Sequence, residues 1–276
     1  MTITRTATRI DPATPRRNAT SSSDVPQALL ANLEYAGLSV PGRRVGSDYC
    51  AFLDLAPGHL AFVIGDVSAN GIRGARLLAN LRAILHSQLR SPTQDLRQVL
   101  QSAHRLFYEN AASIHYATLF VGHYDDFHNT LSYVNCGHHP PLLLHEDADE
   151  DWLDATAPPL GVSARLDCSI ADVRLAEGDV LVMYTDGVIE TENSDGEEFG
   201  VERLAEVLRS DAGVPASLLV NRALSAVERF RAGEPSDDMS LIVATSRTAP
   251  RSRTRVSRPA RLCDSTARTH PLAGRP

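Results

Sequence analysis

The sequence predicts an α+β fold in which two mainly antiparallel sheets are flanked by pairs of helices. The first observation is that helix patterns occur in two adjacent pairs, whereas strand patterns occur in runs between them, unlike the strict alternation of a doubly wound fold. The second is size, because 276 residues with 43% hydrophobic and 22% charged residues can bury one large core. We therefore expect one domain with two layers of strands between helices.

Each element follows from a local pattern. Alternating or continuous apolar runs bounded by Pro-Gly and similar turns predict strands. Apolar residues at helical spacing predict helices, and Pro92 separates the first pair. In order, the predicted elements are strand 33–40, a second strand that follows GSDYC at 46–50 and runs through about residue 55, strand 60–66, helices 72–90 and 93–111, strands 116–124, 130–135, 141–145, 169–175 and 179–185, helices 201–210 and 215–232, and strand 239–245. The acidic segment 146–151 is predicted to be a solvated turn, with a weak cation-binding surface as the alternative.

The two ends differ in composition from the body. Residues 1–24 and 247–276 are rich in Arg, Ser, Thr and Pro without apolar periodicity, which predicts disorder, so the folded domain is predicted to be 25–246. These ends have net charges of +2 and +7, and the whole chain has −7, which leaves −16 for the body. An acidic body does not favour nucleic acid as a partner and suits binding of divalent cations. A nucleic-acid binder that uses the Arg-rich tail remains a separate reading.

Several protein classes are excluded or disfavoured by composition. No apolar run is long enough for a membrane helix and no secretory signal is recognisable, so we expect a cytoplasmic protein without a membrane partner. The four cysteines have no CxxC spacing, which indicates neither a disulfide framework nor a zinc site; they are Cys50, Cys136, Cys168 and Cys263.

Four aspartates are predicted at strand ends or tight turns, and most have a glycine or small neighbour that allows close approach of backbone or ligand. They are Asp48, Asp66, Asp186 and Asp237. Asp66 follows a buried strand and precedes the longest helix, so its alternative role is to cap that helix. Oxygen ligands in this number suit Mg²⁺ or Mn²⁺. A pair of such ions would relieve carboxylate repulsion and generate a nucleophilic water for attack on phosphorus.

At these positions the chain resembles the SpoIIE/RsbU branch of the bacterial PP2C (PPM) metal-dependent serine/threonine phosphatases. The matching segments are VIGDVSANGIRGARLLANLRA, LSYVNCGHHPPLLL, EGDVLVMYTDGVIETENSDGEEFG and SDDMSLIVA, together with LGV at 160–162. The resemblance implies an α-β-β-α sandwich and a phosphatase with two Mn²⁺ or Mg²⁺ ions. Receiver domains and haloacid-dehalogenase phosphatases also cluster aspartates. The active sites of both classes need a lysine, however, and this chain has none.

The resemblance implies a role for each matching residue. Asp66 would bridge the two metal ions beside the backbone carbonyl of Val67, and Asp186 and Asp237 would bind one ion. Asp48 matches the aspartate of the family's GGD motif, so Asp48 and Asp66 are the predicted catalytic pair. The chain departs from the frequent GGDFYD pattern, because GSDYCA has Ser47 and Ala51 where the family has glycine and aspartate.

For other candidate residues, an ordinary structural role is the alternative to a functional one. Arg43 could bind substrate phosphate through its guanidinium, or it could be a solvated turn residue. His138 and His139 could be ligands or proton donors, although the matching family motif is usually a packed turn. Cys50 could be oxidisable, or it could be an ordinary buried thiol.

The resemblance also implies partners. The expected substrate is phosphoserine or phosphothreonine on a STAS-type anti-anti-sigma protein, whose dephosphorylation releases a sigma factor through partner switching. A separate regulator is expected to pack on the helices within 72–111 and shift the helix that follows Asp66. The alternative is a catalytically weak or dead PP2C-like domain that binds a phosphoprotein without hydrolysing it.

Overall fold

The computed structural model describes residues 30–42, 47–69, 71–90, 95–111, 115–147, 149–209, 214–235 and 237–247. The segments predicted to be disordered lie outside these residues, apart from Arg247. Arg43 also lies outside them, so its predicted role stays a prediction.

The described residues form ten strands and five helices. They are β1 (Leu33–Val40), β2 (Asp48–Ala56), β3 (His59–Val67), α1 (Gly71–Leu89), α2 (Leu96–Asn110), β4 (Ala117–Asp125), β5 (Thr130–Cys136), β6 (Leu142–Leu144), β7 (Glu150–Trp152), β8 (Ala171–Arg174), β9 (Val180–Tyr184), α3 (Asp186–Ile189), α4 (Gly200–Arg209), α5 (Ala216–Phe230) and β10 (Met239–Ser246).

The strands form two five-stranded sheets in which every pairing is antiparallel. The order is β1-β10-β9-β6-β7 in the first sheet and β2-β3-β4-β5-β8 in the second. The second sheet uses strands that are consecutive in sequence except for its last member. The first sheet instead inserts the last strand of the chain between β1 and β9.

Side-chain alternation along the strands builds three apolar layers. In β3, Leu60, Phe62 and Ile64 pack between the two sheets, whereas Ala61 and Val63 pack under α1 and α2. On the other side of the sandwich, the first sheet packs against α4 and α5. The result is an α-β-β-α sandwich, which confirms the predicted fold class.

Two short elements differ from the sequence expectation. The predicted solvated turn 146–151 is wrong at its end, because Glu150 and Asp151 belong to β7, which pairs with β6. A three-residue edge strand rich in acids has too little apolar pattern to be recognised in a sequence. The single turn of α3 was also missed, since four residues are too short for a helical period.

Candidate metal-dependent active site

Strand alternation directs Asp48 and Asp66 into the space between the two sheets. Asp66 has the same parity as Leu60, Phe62 and Ile64, which pack in the layer between the sheets. Asp48 has the same parity as Cys50 and Phe52, which pack against that layer. The two aspartates are also direct partners across the β2–β3 pair. Two carboxylates therefore meet at one end of the sandwich.

Asp48 is held by polar groups from the opposite sheet. The buried Thr185 donates from its Oγ1 atom to Asp48 Oδ2 at 2.7 Å, and the Ser240 hydroxyl also bonds this carboxylate. Both residues face the space between the sheets, since they share the parity of the neighbouring inward side chains of β9 and β10. Burial is the main cause that raises the pKa of Asp48 to about 8, and the charges of Asp66 and Asp238 raise it further.

Asp66 carries an unpaired oxygen. Its Oδ1 atom is buried and has no hydrogen-bond partner within the described part of the chain. Burial raises the pKa of Asp66, the charges of Asp186 and Asp237 raise it further, and a hydrogen bond from the Ser47 side chain opposes them. An unpaired carboxylate oxygen among other carboxylates is unfavourable unless a cation or proton compensates it.

Asp186 and Asp237 reach the same end of the sandwich from the other sheet. Asp186 follows β9 and Asp237 precedes β10, and these strands are antiparallel neighbours. Each carboxylate accepts a hydrogen bond from the next backbone N–H, from Gly187 and from Asp238 respectively, both at 2.8 Å. A Cβ atom on Gly187 would lie 2.0 Å from the Asp238 carbonyl oxygen, so the turn after β9 requires glycine.

The two aspartates of the SDDMS motif differ in their surroundings. Asp237 is exposed and close enough to Asp66 to affect its pKa, whereas Asp238 is buried. Asp238 Oδ1 accepts the Gly42 N–H at 2.8 Å, which ties the residues after β1 to the start of β10. The two carboxylates therefore have different surroundings, and the assignment of Asp237, and not Asp238, to the ligand set stays a prediction.

The Val67 carbonyl, the predicted backbone ligand, takes part in a tight turn. It accepts the Ala69 N–H at 2.6 Å, while the Ser68 N–H bonds the Tyr116 carbonyl at 2.9 Å. Gly74 of α1 packs on this turn so closely that a Cβ atom there would lie 1.8 Å from the Ala69 carbonyl oxygen. The start of α1 is therefore in direct contact with the residues that follow Asp66.

Two cavities open beside the aspartates and share Asp186. The first has a volume of about 410 Å³ and contains Asp66, Tyr116, Thr118, His138 and His139 in its lining. The second has a volume of about 400 Å³, and its charged lining residues are Asp186, Glu190, Glu192, Arg231, Glu234 and Asp237.

His138 belongs to the packed turn after β5. It is 4% exposed, its N–H bonds Asn135 Oδ1 at 2.8 Å, and its Nδ1 atom lies 3.1 Å from Thr118 Oγ1. Burial and the neighbouring His139 lower the pKa of His138 to about 3, so its ring is neutral. The packed-turn reading of the sequence agrees with these contacts. Cys50 is half-buried, and burial raises the pKa of its thiol to about 12, which is typical of an unreactive thiol.

The donor chemistry of this cluster fits a hard divalent cation. All the converging side chains offer carboxylate oxygens, and one such oxygen is buried without a partner. Within the described residues, no three histidine, cysteine or acidic side chains lie close enough to form a ready-made metal site. The ligand set Asp48, Asp66, Val67, Asp186 and Asp237 therefore stays a prediction.

Sequence reasoning missed Thr185 and Ser240, which hold Asp48. Both are small hydroxyl residues near strand ends; Thr185 precedes Asp186, Ser240 lies two residues after Asp238, and these positions were the signal that the sequence offered. Their importance depends on contacts across the two sheets, since Thr185 and Asp48 are 137 residues apart.

Comparison with known protein families decides between aspartate-rich folds. The model of the family described as Stage II sporulation protein E (SpoIIE) matches residues 56–247. The chain belongs to the SpoIIE family. This membership confirms the resemblance that the aspartate motifs indicated.

Named relatives include phosphoserine phosphatases. The chain is 25% identical over 232 residues to phosphoserine phosphatase RsbU of Bacillus subtilis, with 80% of this chain and 68% of RsbU covered. It is 25% identical over 204 residues to RsbP of the same species, with coverage of 72% and 49%. It is 28% identical over 206 residues to protein IcfG of Synechocystis, with coverage of 65% and 32%. The chain thus spans half or less of the length of RsbP and IcfG.

Solved structures give the same fold. The RsbU and RsbW domains of Rv1364c from Mycobacterium tuberculosis align with a TM-score of 0.67 and 26% identity, over 80% of this chain and 61% of that chain. The catalytic domain of the serine/threonine phosphatase PstP, solved with two manganese ions, aligns with a TM-score of 0.57 and 17% identity, over 79% and 99%. The fold is therefore that of PP2C phosphatase domains. In the described residues, no helix is long and apolar enough to cross a lipid bilayer.

Proposed function

We propose that this chain is a metal-dependent phosphatase that removes phosphate from serine or threonine of a regulatory protein. The observation that supports this most directly is the pairing of Asp48 and Asp66 at one end of the sandwich, with Asp186 and Asp237 close enough to Asp66 to raise its pKa. The phosphoserine phosphatases among its relatives support the same reaction class. Asp66, Asp186, Asp237 and the Val67 carbonyl would hold the cations, with Asp48 beside them.

The protein residues have defined tasks in this reaction. Two bound Mn²⁺ or Mg²⁺ ions would supply a water of lowered pKa and neutralise charge on the phosphoryl group. Asp66 would fix the position of the site through its buried oxygen, and Thr185 and Ser240 would keep Asp48 oriented. The cavity lined by Tyr116, Thr118 and His138 would admit the phosphorylated side chain.

We propose a STAS-type anti-anti-sigma protein as the substrate, within partner-switching control of a sigma factor in the cytoplasm. Support comes from the similarity to RsbU and RsbP and to the paired RsbU and RsbW domains of Rv1364c. The phosphatase domain would span 25–246, with the Arg-rich segments outside it. The family match to 56–247 and the pairing of β1 with β10 support these limits.

A regulator that packs on α1 and α2 would control the site. Gly74 of α1 contacts the turn that follows Val67, so a displacement of this helix would move the predicted backbone ligand. Cations of this kind need accurate ligand geometry, so a small shift would change their occupancy.

The test is Mn²⁺-dependent hydrolysis of para-nitrophenyl phosphate, followed by turnover of serine-phosphorylated STAS proteins from the same genome. We expect turnover of both, and loss of both on chelation. Binding of a phosphorylated STAS protein without any hydrolysis would instead support the alternative, a PP2C-like domain without catalysis.

A further inference from the structure

Three large apolar side chains near the Asp66 cavity are exposed to solvent. Ile72 in the first turn of α1 is 90% exposed, Val162 is 60% exposed, and Tyr116 is 45% exposed. Single exposed apolar residues are common, but several together at the mouth of a cavity are typical of a binding surface.

Backbone contacts place these residues around one edge of the site. Tyr116 lines the cavity with Asp66, and its backbone exchanges hydrogen bonds with Ser68, four residues before Ile72. The next residue, Ala117, forms a two-bond bridge with Leu160, two residues before Val162. Ile72, Tyr116 and Val162 therefore belong to three segments that meet next to the carboxylate cluster; we call them the apolar rim.

The other edge of the site is acidic. The cavity beyond Asp186 is lined by Glu190, Glu192, Glu234 and Asp237, and Arg231 is the one cationic side chain among its described lining residues. A protein whose phosphorylated residue enters next to Asp66 must cover both edges. An apolar contact on one side and basic residues on the other would match them.

We propose that the apolar rim is the docking surface for the folded phosphoprotein substrate, which contacts it through an apolar patch beside the phosphorylated residue. The inference rests on the proposed phosphatase function and adds the kind of surface that the substrate must present. Tyr116 lines the cavity with Asp66, and its strand is hydrogen-bonded to the segments that carry the exposed Ile72 and Val162, so a protein whose phosphorylated residue occupies the cavity is the occupant that would also cover these two residues. A small phosphate ester would fill the cavity without touching these two residues.

The experiment compares two substrates in variants of the full chain. Ile72→Ser, Val162→Ser and the double variant are assayed with para-nitrophenyl phosphate and with a serine-phosphorylated STAS protein. We expect the double variant to lose about tenfold or more in kcat/KM for the phosphoprotein, mainly through KM, because central apolar contacts dominate protein interfaces. Turnover of para-nitrophenyl phosphate should stay within about twofold of wild type. Circular dichroism checks that the variants are folded.

The matched control is Leu218→Ser, because Leu218 is an exposed apolar residue of α5, on the far side of the other sheet. It should leave both activities unchanged. An equal effect of the rim and control variants on the phosphoprotein would overturn the proposal. So would a wild-type enzyme with no preference for the phosphoprotein over the small ester. A change of oligomeric state with unchanged phosphoprotein turnover would identify a second copy of the chain as the occupant instead.

Failure of the proposed function gives a separate result. If the wild-type chain hydrolyses neither substrate, binding of the phosphorylated STAS protein is measured for the Asp66→Asn chain with and without the two rim substitutions. Weaker binding of the rim variant would then support the docking surface independently of catalysis, and unchanged or absent binding would contradict it.

Discussion

Asp48 and Asp66 are direct partners across the β2–β3 pair, and the charge of Asp66 adds to the burial that raises the pKa of Asp48. A cation between such groups would turn repulsion into attraction. We expect Asp66→Asn to reduce Mn²⁺-dependent turnover by at least about 100-fold, because the variant loses a carboxylate that would hold the cations.

Asp66→Asn should not lower the thermal stability of the metal-free protein. Asparagine removes a buried charge from a cluster of acids, so the thermal midpoint without metal should equal or exceed that of wild type. Turnover at the wild-type rate would contradict the assignment of Asp66, whereas an unfolded variant in circular dichroism would point to a structural role.

Asp237 and Asp238 form a matched pair for testing the ligand set. Asp237→Asn should abolish Mn²⁺-dependent turnover, because its exposed carboxylate lies close enough to Asp66 to raise the pKa of that residue. Asp238→Asn should have a milder effect, since an amide oxygen can still accept the Gly42 N–H. Steady-state assays over a range of Mn²⁺ concentrations measure the difference. An equal loss of turnover in both variants would contradict the assignment of Asp237 to the ligand set and of Asp238 to a structural role.

Thr185 should control metal affinity without contacting the metal. Thr185→Val removes the hydrogen bond to Asp48 and leaves the buried Ser240 N–H without its acceptor. We expect Mn²⁺ affinity to fall by about 10- to 100-fold. Isothermal titration calorimetry measures it, with Thr130→Val as the control, since the Thr130 hydroxyl donates to the His128 carbonyl in the turn between β4 and β5. Unchanged Mn²⁺ affinity of Thr185→Val would show that Thr185 does not contribute to the metal site.

Gly74→Ala tests the contact between α1 and the turn after Asp66. Helix propensity alone predicts stabilisation of up to about 1 kcal/mol. The clash with the Ala69 carbonyl predicts the opposite sign, a loss of about 1–3 kcal/mol, together with lower turnover. Urea unfolding measures the sign directly, and a stabilised, fully active variant would show that α1 does not constrain the turn.

His145 gives a pH-dependent contribution to stability. Its Nδ1 atom lies 2.9 Å from the buried Asp179 carboxylate and its Nε2 atom 3.2 Å from Asp151, and the hydrogen bond to Asp179 is the main cause that raises the pKa of His145. A raised folded-state pKa stabilises the protein fully below the unfolded value of 6.5, and this contribution is lost as pH rises through the folded value. The stability difference between wild type and His145→Gln should therefore be larger at pH 6 than at pH 9. Urea unfolding at both pH values measures this difference. An equal stability difference at pH 6 and pH 9 would show that His145 carries no charge beside Asp179.

The sequence was sufficient to predict the strands, the long helices and the collection of aspartates at strand ends. Alternation also determines which face each aspartate occupies, as Asp66 illustrates. The sequence could not reveal β7, because the pairing of this strand with β6 depends on tertiary context. Nor could it reveal the hydrogen bond between Thr185 and Asp48. Such contacts join residues of different sheets, and no local pattern encodes which hydroxyl meets which carboxylate.

The position of β10 between β1 and β9 has a consequence for folding during synthesis. The second sheet draws all its strands from residues 48–174, so it can form with α1 and α2 while the ribosome is still adding residues. The first sheet must wait for residues 239–246, a closure over some two hundred residues that is slow by its sequence separation. Asp48 and Asp66 would then be paired in the nascent chain well before Asp237 emerges.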